Sequence, residues 1–488
     1  MTTSSTAFLV QPSGAAPAAA ARRDRPCTEP MVLALIILGL MSVGILMVYS
    51  ASRSATAAGD SLFFVKHMIF VPAAVGAMAA GAYFPYRRLN GFWPAMLLAL
   101  ATVAMLSAVL VFGVERNHAR RWFEIPLGLA RISFQPSEFA KFALVAFLAW
   151  FFSPRPAPAG RLAEKRRLGR LYRAVRGEPR SFLRGFLPPL ALTGVVGALI
   201  AKEDFGTAAL VGLVAVLVCF VAGWRWWFSA LLIGPAALGF YKYVWLVPYR
   251  WERIEVWLDP WRYFNGKGWH ICQSLMGIGS GGPTGVGLGG GIQKLYIPEV
   301  TTDFIFAAIC EEMGLLGGVL VLGLFGALIW RAGRVVRRAP DRFSFLLAVG
   351  IVLVIGLQAA MNVGVATGAL PAKGISLPFI SYGGSGLVLM SFAAGLLMAV
   401  ARAAAAGPVP ASAEGCHAFA CEGVECAPAA GGPATPHPLV YMPAGIEVRA
   451  AGTGPRARPP GANDSAPGTD GSEIAASGGA AKEPSDAS

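Results

Sequence analysis

The stretch "IPEVTTDFIFAAICEEMG", Ile297 to Gly314, sets Glu299, Asp303, Glu311 and Glu312 at the entry to the apolar run "LLGGVLVLGLFGALIW". An ionised carboxylate is costly in hydrocarbon, so acids kept there are functional candidates. At the mouth of such a run, Asp303 can act as a general base on a hydroxyl while the reactants stay in water. Glu311 lies about 12 Å deeper by helical rise and cannot share that role. Glu311 and Glu312 are therefore assigned to interhelical bonding or to a polar cavity. A second ionisable pair stands in "SFQPSEFAK". Pro136 suits the first turn of a helix and Glu138 its positive end. Glu138 and Lys141, three residues apart, share one face and can pair. They read either as a functional pair or as an ion pair that locks helix packing.

Positive charge is concentrated in two further segments. "VERNHARRWFEIPLGLARISFQPSEFAK" holds Arg116, Arg120, Arg121 and Arg131, and "PYRWERIEVWLDPWRYFNGKGWH" holds Arg250, Arg253, Arg262 and Lys267. One reading anchors these arginines and tryptophans at lipid headgroups. The other makes them a site for a polyanion at the membrane surface, such as a lipid-linked phosphate. "GIGSGGPTGVGLGGGIQK" has too much glycine for a helix or strand and predicts a mobile or tightly turned loop. It lacks the G-x-x-x-x-G-K-[ST] order of a nucleotide-binding loop. "LPAKGISLPFISYGGSG" predicts another loop, carrying Lys373.

The elements that must hold these groups are membrane helices. Of 488 residues, 55% are hydrophobic and 14% charged, and the mean hydropathy is +0.57; that composition excludes a soluble class. Spanning about 30 Å of hydrocarbon takes roughly 20 apolar residues. Such stretches fall at 31–50, 63–82, 92–113, 138–153, 183–201, 207–223, 226–247, 303–330, 343–366 and 384–402. The first is too long for a signal-peptide core and is read as an uncleaved span. "RRDR", "YRR", "RPAPAGRLAEKRRLGRLYRAVRGEPRSFLR" and "RAGRVVRRAPDR" all fall on one side if ten spans alternate, and the positive-inside rule makes that side cytoplasmic. Both termini are then cytoplasmic, and the loops before Glu138 and Asp303 face outward. The two basic segments above thus break the charge rule. The arginines flank spans, which argues against a nucleic-acid partner for a chain of net charge +14. Residues 1–30 and 403–488 are rich in Ala, Pro, Gly and Ser and too poor in large apolar residues to fold alone. Cys272 is the one cysteine in an outer loop, so no structural disulfide is expected there. Cys416, His417, Cys421 and Cys426 stand close in the tail, with a spacing that fits no common zinc site.

Taken in order, "RRW…FQPSEFAK", "DFGTA", "YRWERI…LDPW…QSL…IGSGG…GVGLG…QK…IPE..TDFIF…EEMG" and "LPAKGISLPFISYGGSG" resemble the SEDS family (shape, elongation, division and sporulation), which includes FtsW, RodA and SpoVE. The resemblance covers about residues 31–402, and "QSL", "IQK" and the lysine of "LPAKG" are similar to FtsW more than to RodA. It implies an all-α polytopic fold of about ten helices, with a large outer loop between helices 7 and 8. The implied activity is peptidoglycan glycosyl transfer on lipid II at the outer face of a bacterial cytoplasmic membrane, in cell division. In that reaction the 4-hydroxyl of one lipid-linked disaccharide joins the anomeric carbon of another and expels a polyprenyl diphosphate. The family pattern makes Asp303 catalytic and assigns substrate binding to Arg121, Trp122, Gln135, Glu138, Lys141, Arg250, Arg253, Gln273, Ser274, Glu299, Thr302, Lys373 and Ser381. The departing diphosphate needs fixed positive charge or a divalent metal ion; no cofactor is assigned and the metal is left open. The implied partners are a class B penicillin-binding protein and other division proteins. This sequence departs from the pattern in three places: Thr301 replaces a His, Gly268-Trp269-His270 replaces "GYQ", and "KEDFGT" replaces "QPDLGT". Two other functions stay open, a lipid II flippase and a non-catalytic division scaffold. The flippase needs polar residues along the whole membrane path, whereas these motifs gather on one side.

Overall fold

A chain in hydrocarbon must satisfy its own backbone hydrogen bonds, and the apolar runs of this sequence do so as helices. The computed structural model describes residues 28–54, 61–116, 119–127, 130–153, 182–297 and 299–406. Among these, the helices are α1 (Glu29–Ser54), α2 (Ser61–Tyr83), α3 (Phe92–Phe112), α4 (Pro136–Phe151), α5 (Leu187–Glu203), α6 (Phe205–Val221), α7 (Trp226–Leu231), α8 (Ile233–Phe240), α9 (Pro248–Leu258), α10 (Trp269–Ser280), α11 (Ile305–Arg337), α12 (Arg342–Ala366) and α13 (Gly384–Ala405). Six of them, α1, α2, α3, α11, α12 and α13, are long and apolar enough to cross a membrane. α6 is a shorter apolar helix, and α4 and α5 run for 16 and 17 residues. The protein is therefore a multi-pass, mostly helical membrane protein. The expected span at 226–247 is instead α7, α8 and a π-helical turn at Tyr241–Trp245. Pro235 has no N–H to donate back to Leu231, which accounts for the interruption. Most of the two terminal segments, 1–27 and 407–488, and with them the cysteine and histidine cluster, lie outside the described residues.

The segment between α3 and α4 is not helical. It forms strands β1 (Val114–Arg116), β2 (Ala119–Leu127) and β3 (Ala130–Phe134), an antiparallel sheet in that order. Phe123 pairs with Phe134 and Leu127 with Ala130. The aromatic and β-branched residues of "RRWFEI" and "RISF" suit a pleated surface, so a small sheet joins the expected helical architecture.

α4 is buried along nearly its whole length, which fits its all-round apolar sequence. The Glu138–Lys141 pair at its start is thereby held inside protein rather than facing lipid. α11 breaks at Gly314, whose φ of 67° and ψ of −163° are not helical. The freed backbone groups are taken up by the glycine-rich segment: Val286 N donates to Glu311 O at 3.1 Å and Gly287 N to Glu312 O at 3.1 Å, while Leu315 N donates to Gly282 O at 2.9 Å. A Cβ on Gly314 would lie 2.3 Å from Gly285 N, and one on Gly285 would lie 2.1 Å from Glu312 O. Both positions need positive φ and close approach, so only glycine fits. Of the two loop conformations open to the sequence, the segment adopts the tightly turned one, docked against a broken helix.

Candidate active site

Four segments far apart in sequence bring charge to one place beside the start of α11. The first is the turn before that helix. The Glu299 carbonyl accepts from Thr302 N and Asp303 N, both at 3.1 Å. Glu299 itself has φ 58°, a left-handed conformation that costs an L-residue roughly 1–2 kcal/mol. Thr302 Oγ1 donates to Glu299 Oε2 at 3.2 Å. The turn is pinned from outside by Ser381, whose hydroxyl donates to Thr302 O at 2.6 Å. Asn362 of α12 fixes it from below, its Nδ2 donating to Asp303 O at 2.9 Å and to Ile375 O at 2.7 Å. Asp303 is thus set by its backbone, and its half-buried carboxyl is left for chemistry.

The second segment is β2. Arg121 Nη1 lies 3.9 Å from Asp204 Oδ2, and alternation along the strand sends Trp122 to the opposite face. The third is the start of α6, where Asp204 is the N-cap and accepts from Thr207 N at 3.1 Å and Thr207 Oγ1 at 2.7 Å. The fourth is the loop before α13. A Cβ on Gly374 would lie 3.3 Å from Asp303 Oδ2 and 4.0 Å from Arg121 Nη1. The absent side chain is what lets the acid and the guanidinium flank the same point. Next to it, the Lys373 stem packs on Gly206 and its ammonium lies 5.6 Å from the Phe205 ring centre.

These surroundings set the proton affinity of Asp303. Burial pushes its carboxyl up to about 7, helped by the negative charges of Glu299 and Asp204, while Arg121 and a hydrogen bond from Thr302 oppose the shift. Burial also pulls the Lys373 ammonium down, against the attraction of Asp204. A carboxylate that titrates near neutrality, with cations alongside, is suited to take a proton from a hydroxyl.

The other predicted residues fall into three groups. Arg250 and Arg253 both reach carbonyls from α9, and Arg253 does so beside Lys373. Arg250 Nη2 donates to Ala201 O at 3.3 Å and Lys202 O at 3.4 Å, and Arg253 Nη1 donates to Ala372 O at 3.4 Å. Gln135, Glu138 and Lys141 lie beneath the loop before α13. Gln135 N donates to Ser385 Oγ at 3.1 Å, Lys141 pairs with Glu138 at 2.8 Å, and Lys141 Nζ donates to Gln358 Oε1 at 2.6 Å. Gln358 passes the connection on to Ser376 O at 3.0 Å. Gln273 and Ser274 are buried within α10, where the Ser274 hydroxyl donates to Ala366 O at 2.7 Å. These last two belong to the packing of α10 on α12.

Four residues around the site carry no role in the sequence reading. Asp204 was legible as an acid two residues before Gly206 and three before Thr207, an N-cap spacing. Asn362 and Gln358 stand at i,i+4 in an otherwise apolar span, which marks a polar helix face. His270 stacks on Phe304 with ring centres 6.3 Å apart. Among the described residues no three His, Cys, Asp or Glu side chains group as a metal-ligand set.

With this geometry in place, the match to the family of FtsW, RodA and SpoVE, described as "Cell cycle protein", extends over residues 31–406. The chain belongs to that family. Stage V sporulation protein E of Bacillus subtilis is 38% identical, covering 77% of this chain and 98% of its own. A Coxiella burnetii protein named "Probable peptidoglycan glycosyltransferase FtsW" is 35% identical over 76% of this chain and 95% of its own. Among solved structures, a chain from a peptidoglycan synthase complex that coordinates polymerization and crosslinking aligns at 29% identity and a TM-score of 0.59, covering 76% of this chain and 97% of its own. A mutant of the rod shape determining protein RodA of Thermus thermophilus aligns at 27% and 0.51, covering 76% and 96%. The FtsW/RodA/SpoVE membership covers the whole of the charged site, from β2 to the loop before α13.

Proposed function

We propose that the chain is a peptidoglycan glycosyltransferase that polymerises lipid II, with Asp303 as general base. The observation that carries this reading is the Asp303 carboxyl, poised near neutral with Arg121 beside it at the mouth of a membrane helix and Lys373 on the neighbouring loop. Asp303 removes the proton from the attacking 4-hydroxyl as the new bond forms at the anomeric carbon. The bond to the diphosphate breaks, and its electron pair leaves on the diphosphate oxygen. Arg121 and Lys373 offer fixed positive charge for that group, and Arg253 stands next to Lys373 through Ala372.

The ten-span topology with both termini cytoplasmic belongs to the same proposal, because it puts the site on the outer face where the sugars are. So does a partner of the class B penicillin-binding type, acting in cell division. Among the described residues, the buried charged side chains Glu138, Lys141, Asp204, Lys294, Glu311 and Glu312 all lie toward the end at which α4, α6 and α11 begin. That distribution supports a site on one face rather than a polar path across the membrane. The test is purified protein given labelled lipid II with a penicillin-binding partner. Glycan polymer from the native chain, and none from Asp303→Asn, is the expected result. Translocation without polymer would replace the proposal with a flippase, and neither activity would leave a scaffold.

A further inference from the structure

α4 and α12 carry a buried polar chain that leads to the loop beside Asp303. Lys141 is 3% exposed and Gln358 2%, too deep for either to touch a sugar. The Lys141 ammonium pairs with Glu138 Oε2 at 2.8 Å and donates to Gln358 Oε1 at 2.6 Å. An ammonium can only donate, so it fixes which end of the Gln358 amide is the oxygen. Nε2 is then turned to the Ser376 carbonyl, which accepts at 3.0 Å. One turn along α12, Asn362 Nδ2 donates to Asp303 O at 2.9 Å and to Ile375 O at 2.7 Å. Two amides of α12 thus hold three carbonyls, two from the loop before α13 and one from the turn before α11. That loop closes on the acid, since a Cβ on Gly374 would lie 3.3 Å from Asp303 Oδ2.

We propose that Gln358 is a positioning residue: its amide, oriented by the Glu138–Lys141 pair, holds the loop before α13 closed over Asp303 during glycosyl transfer. This rests on the polymerase reading above and deepens it. The Glu138–Lys141 pair then acts through the loop, which carries Lys373, rather than on the substrate. A closed loop also keeps water from the Asp303 carboxyl. Burial is the largest influence raising its proton affinity. Glu299 of the same turn and Asp204 at the start of α6 add to it, while Arg121 of β2 and the Thr302 hydrogen bond oppose it. Lys373 is drawn to Asp204, Arg253 of α9 reaches the loop at Ala372 O, and His270 of α10 lies on Phe304. Gln358→Met alters none of these charges. Opening the loop in that variant therefore acts mainly by admitting water, which lets the carboxyl fall toward the ordinary carboxylate range.

The test uses the full-length protein with its partner and labelled lipid II. Initial rates are measured from acid to alkaline pH for the native chain, Gln358→Met and Gln358→Glu, alongside backbone hydrogen exchange at 372–377. Met keeps the length of Gln and loses the amide donor. The carboxylate of Gln358→Glu keeps its bond to Lys141 but turns an oxygen on the Ser376 carbonyl. Both variants are expected to insert normally, to exchange faster at 372–377, and to lose at least about tenfold in turnover with a smaller change in KM. The acid limb of Gln358→Met should lie at lower pH than that of the native chain. Native turnover in Gln358→Met, or lost turnover with either the acid limb or the exchange unmoved, would reduce Gln358 to a packing residue. So would failure of both variants to fold. If Gln358→Met alone fails to fold, Gln358→Glu decides by turnover and exchange. Absence of polymer from the native chain would instead overturn the polymerase reading, and exchange would still report whether Gln358 holds the loop.

Discussion

Two clusters of acids lie about 12 Å apart by helical rise along the start of α11, and they are treated in opposite ways. The deeper one is saturated. Glu311 accepts from Ile292 N at 2.6 Å, Gln293 N at 2.7 Å and Lys294 N at 3.1 Å. Glu312 is paired with the buried Lys294, accepts from the Ser50 hydroxyl at 2.6 Å and from Gly289 N at 3.1 Å. Every bond joins the broken helix to the glycine-rich segment or to α1, so these acids close the gap at Gly314 and nothing is left over for chemistry. The shallower cluster is loosely held. The Arg121 guanidinium stands off Asp204 at 3.9 Å, and among the described residues no cation is paired directly with Asp303, while its backbone is firmly pinned. Residue type is the same in both places. What separates a structural acid from a reactive one is how many fixed donors its carboxylate already has.

Removing the shallow acid gives the largest effect. Asp303→Asn keeps the shape and loses the base, and glycan synthesis should fall by at least about 100-fold with normal membrane insertion. The native rate should carry an acid limb with a midpoint near 7, set by the raised carboxyl, and rise with pH through it. Stability moves the other way. The folded state holds this proton more tightly than the unfolded chain, so the contribution of Asp303 is fully present below about 4 and is lost as pH rises through about 7. Thermal unfolding should find Asp303→Asn more stable than the native protein at pH 8, with the gap closing toward pH 4. Equal melting curves at pH 8 would show that the site exerts no strain on its acid.

The deep cluster should respond in folding rather than in turnover. Lys294→Met leaves Glu312 as a buried unpaired charge, a change that typically costs 3–5 kcal/mol. The expected result is loss of folded protein from the membrane, measured by yield and detergent-resistant monodispersity. Adding Glu312→Gln to Lys294→Met should recover much of it, because the charge is then gone from both partners. A stable but inactive Lys294→Met protein would move the deep cluster into the active site and erase the contrast.

Much of this contrast was legible in the sequence, and the missing part has a physical reason. The position of Asp303 before an apolar run, the Glu138–Lys141 spacing and the sheer glycine content of 277–292 were readable because each is local. The partners were not. Glu311 and Glu312 were seen to need bonding, but the donors that satisfy them are mostly backbone N–H groups of a loop, which no side-chain pattern reveals. Asn362 holds two carbonyls, Asp303 O and Ile375 O, by the same kind of contact. The sheet at 114–134 was hidden because its arginines and tryptophan read as a charged loop between spans, although "RISF" has a strand's composition. The break of 226–247 turns on one proline in a run whose overall hydropathy reads as a span.

The smallest expected effects come from two arginines on the same helix. Arg253 and Arg250 are one turn apart on α9, and the sequence offered both for the diphosphate. The structure separates them. Arg253 reaches Ala372 O, next to Lys373, and so borders the site. Arg250 reaches Ala201 O and Lys202 O, carbonyls at the end of α5 whose intrahelical partners run out there. A guanidinium can span two acceptors at once, and an ammonium holds charge without that fork. Arg253→Lys should therefore reduce polymerisation about tenfold, equivalent to roughly 1.4 kcal/mol of transition-state stabilisation, with KM little changed. Arg250→Lys should instead lower the melting temperature slightly, losing of order 1 kcal/mol of helix-end bonding, and leave turnover within about twofold to threefold, under 1 kcal/mol. Equal and large losses of turnover in both variants would return Arg250 to the diphosphate site, and equal small ones would leave Arg121 and Lys373 to hold that group alone.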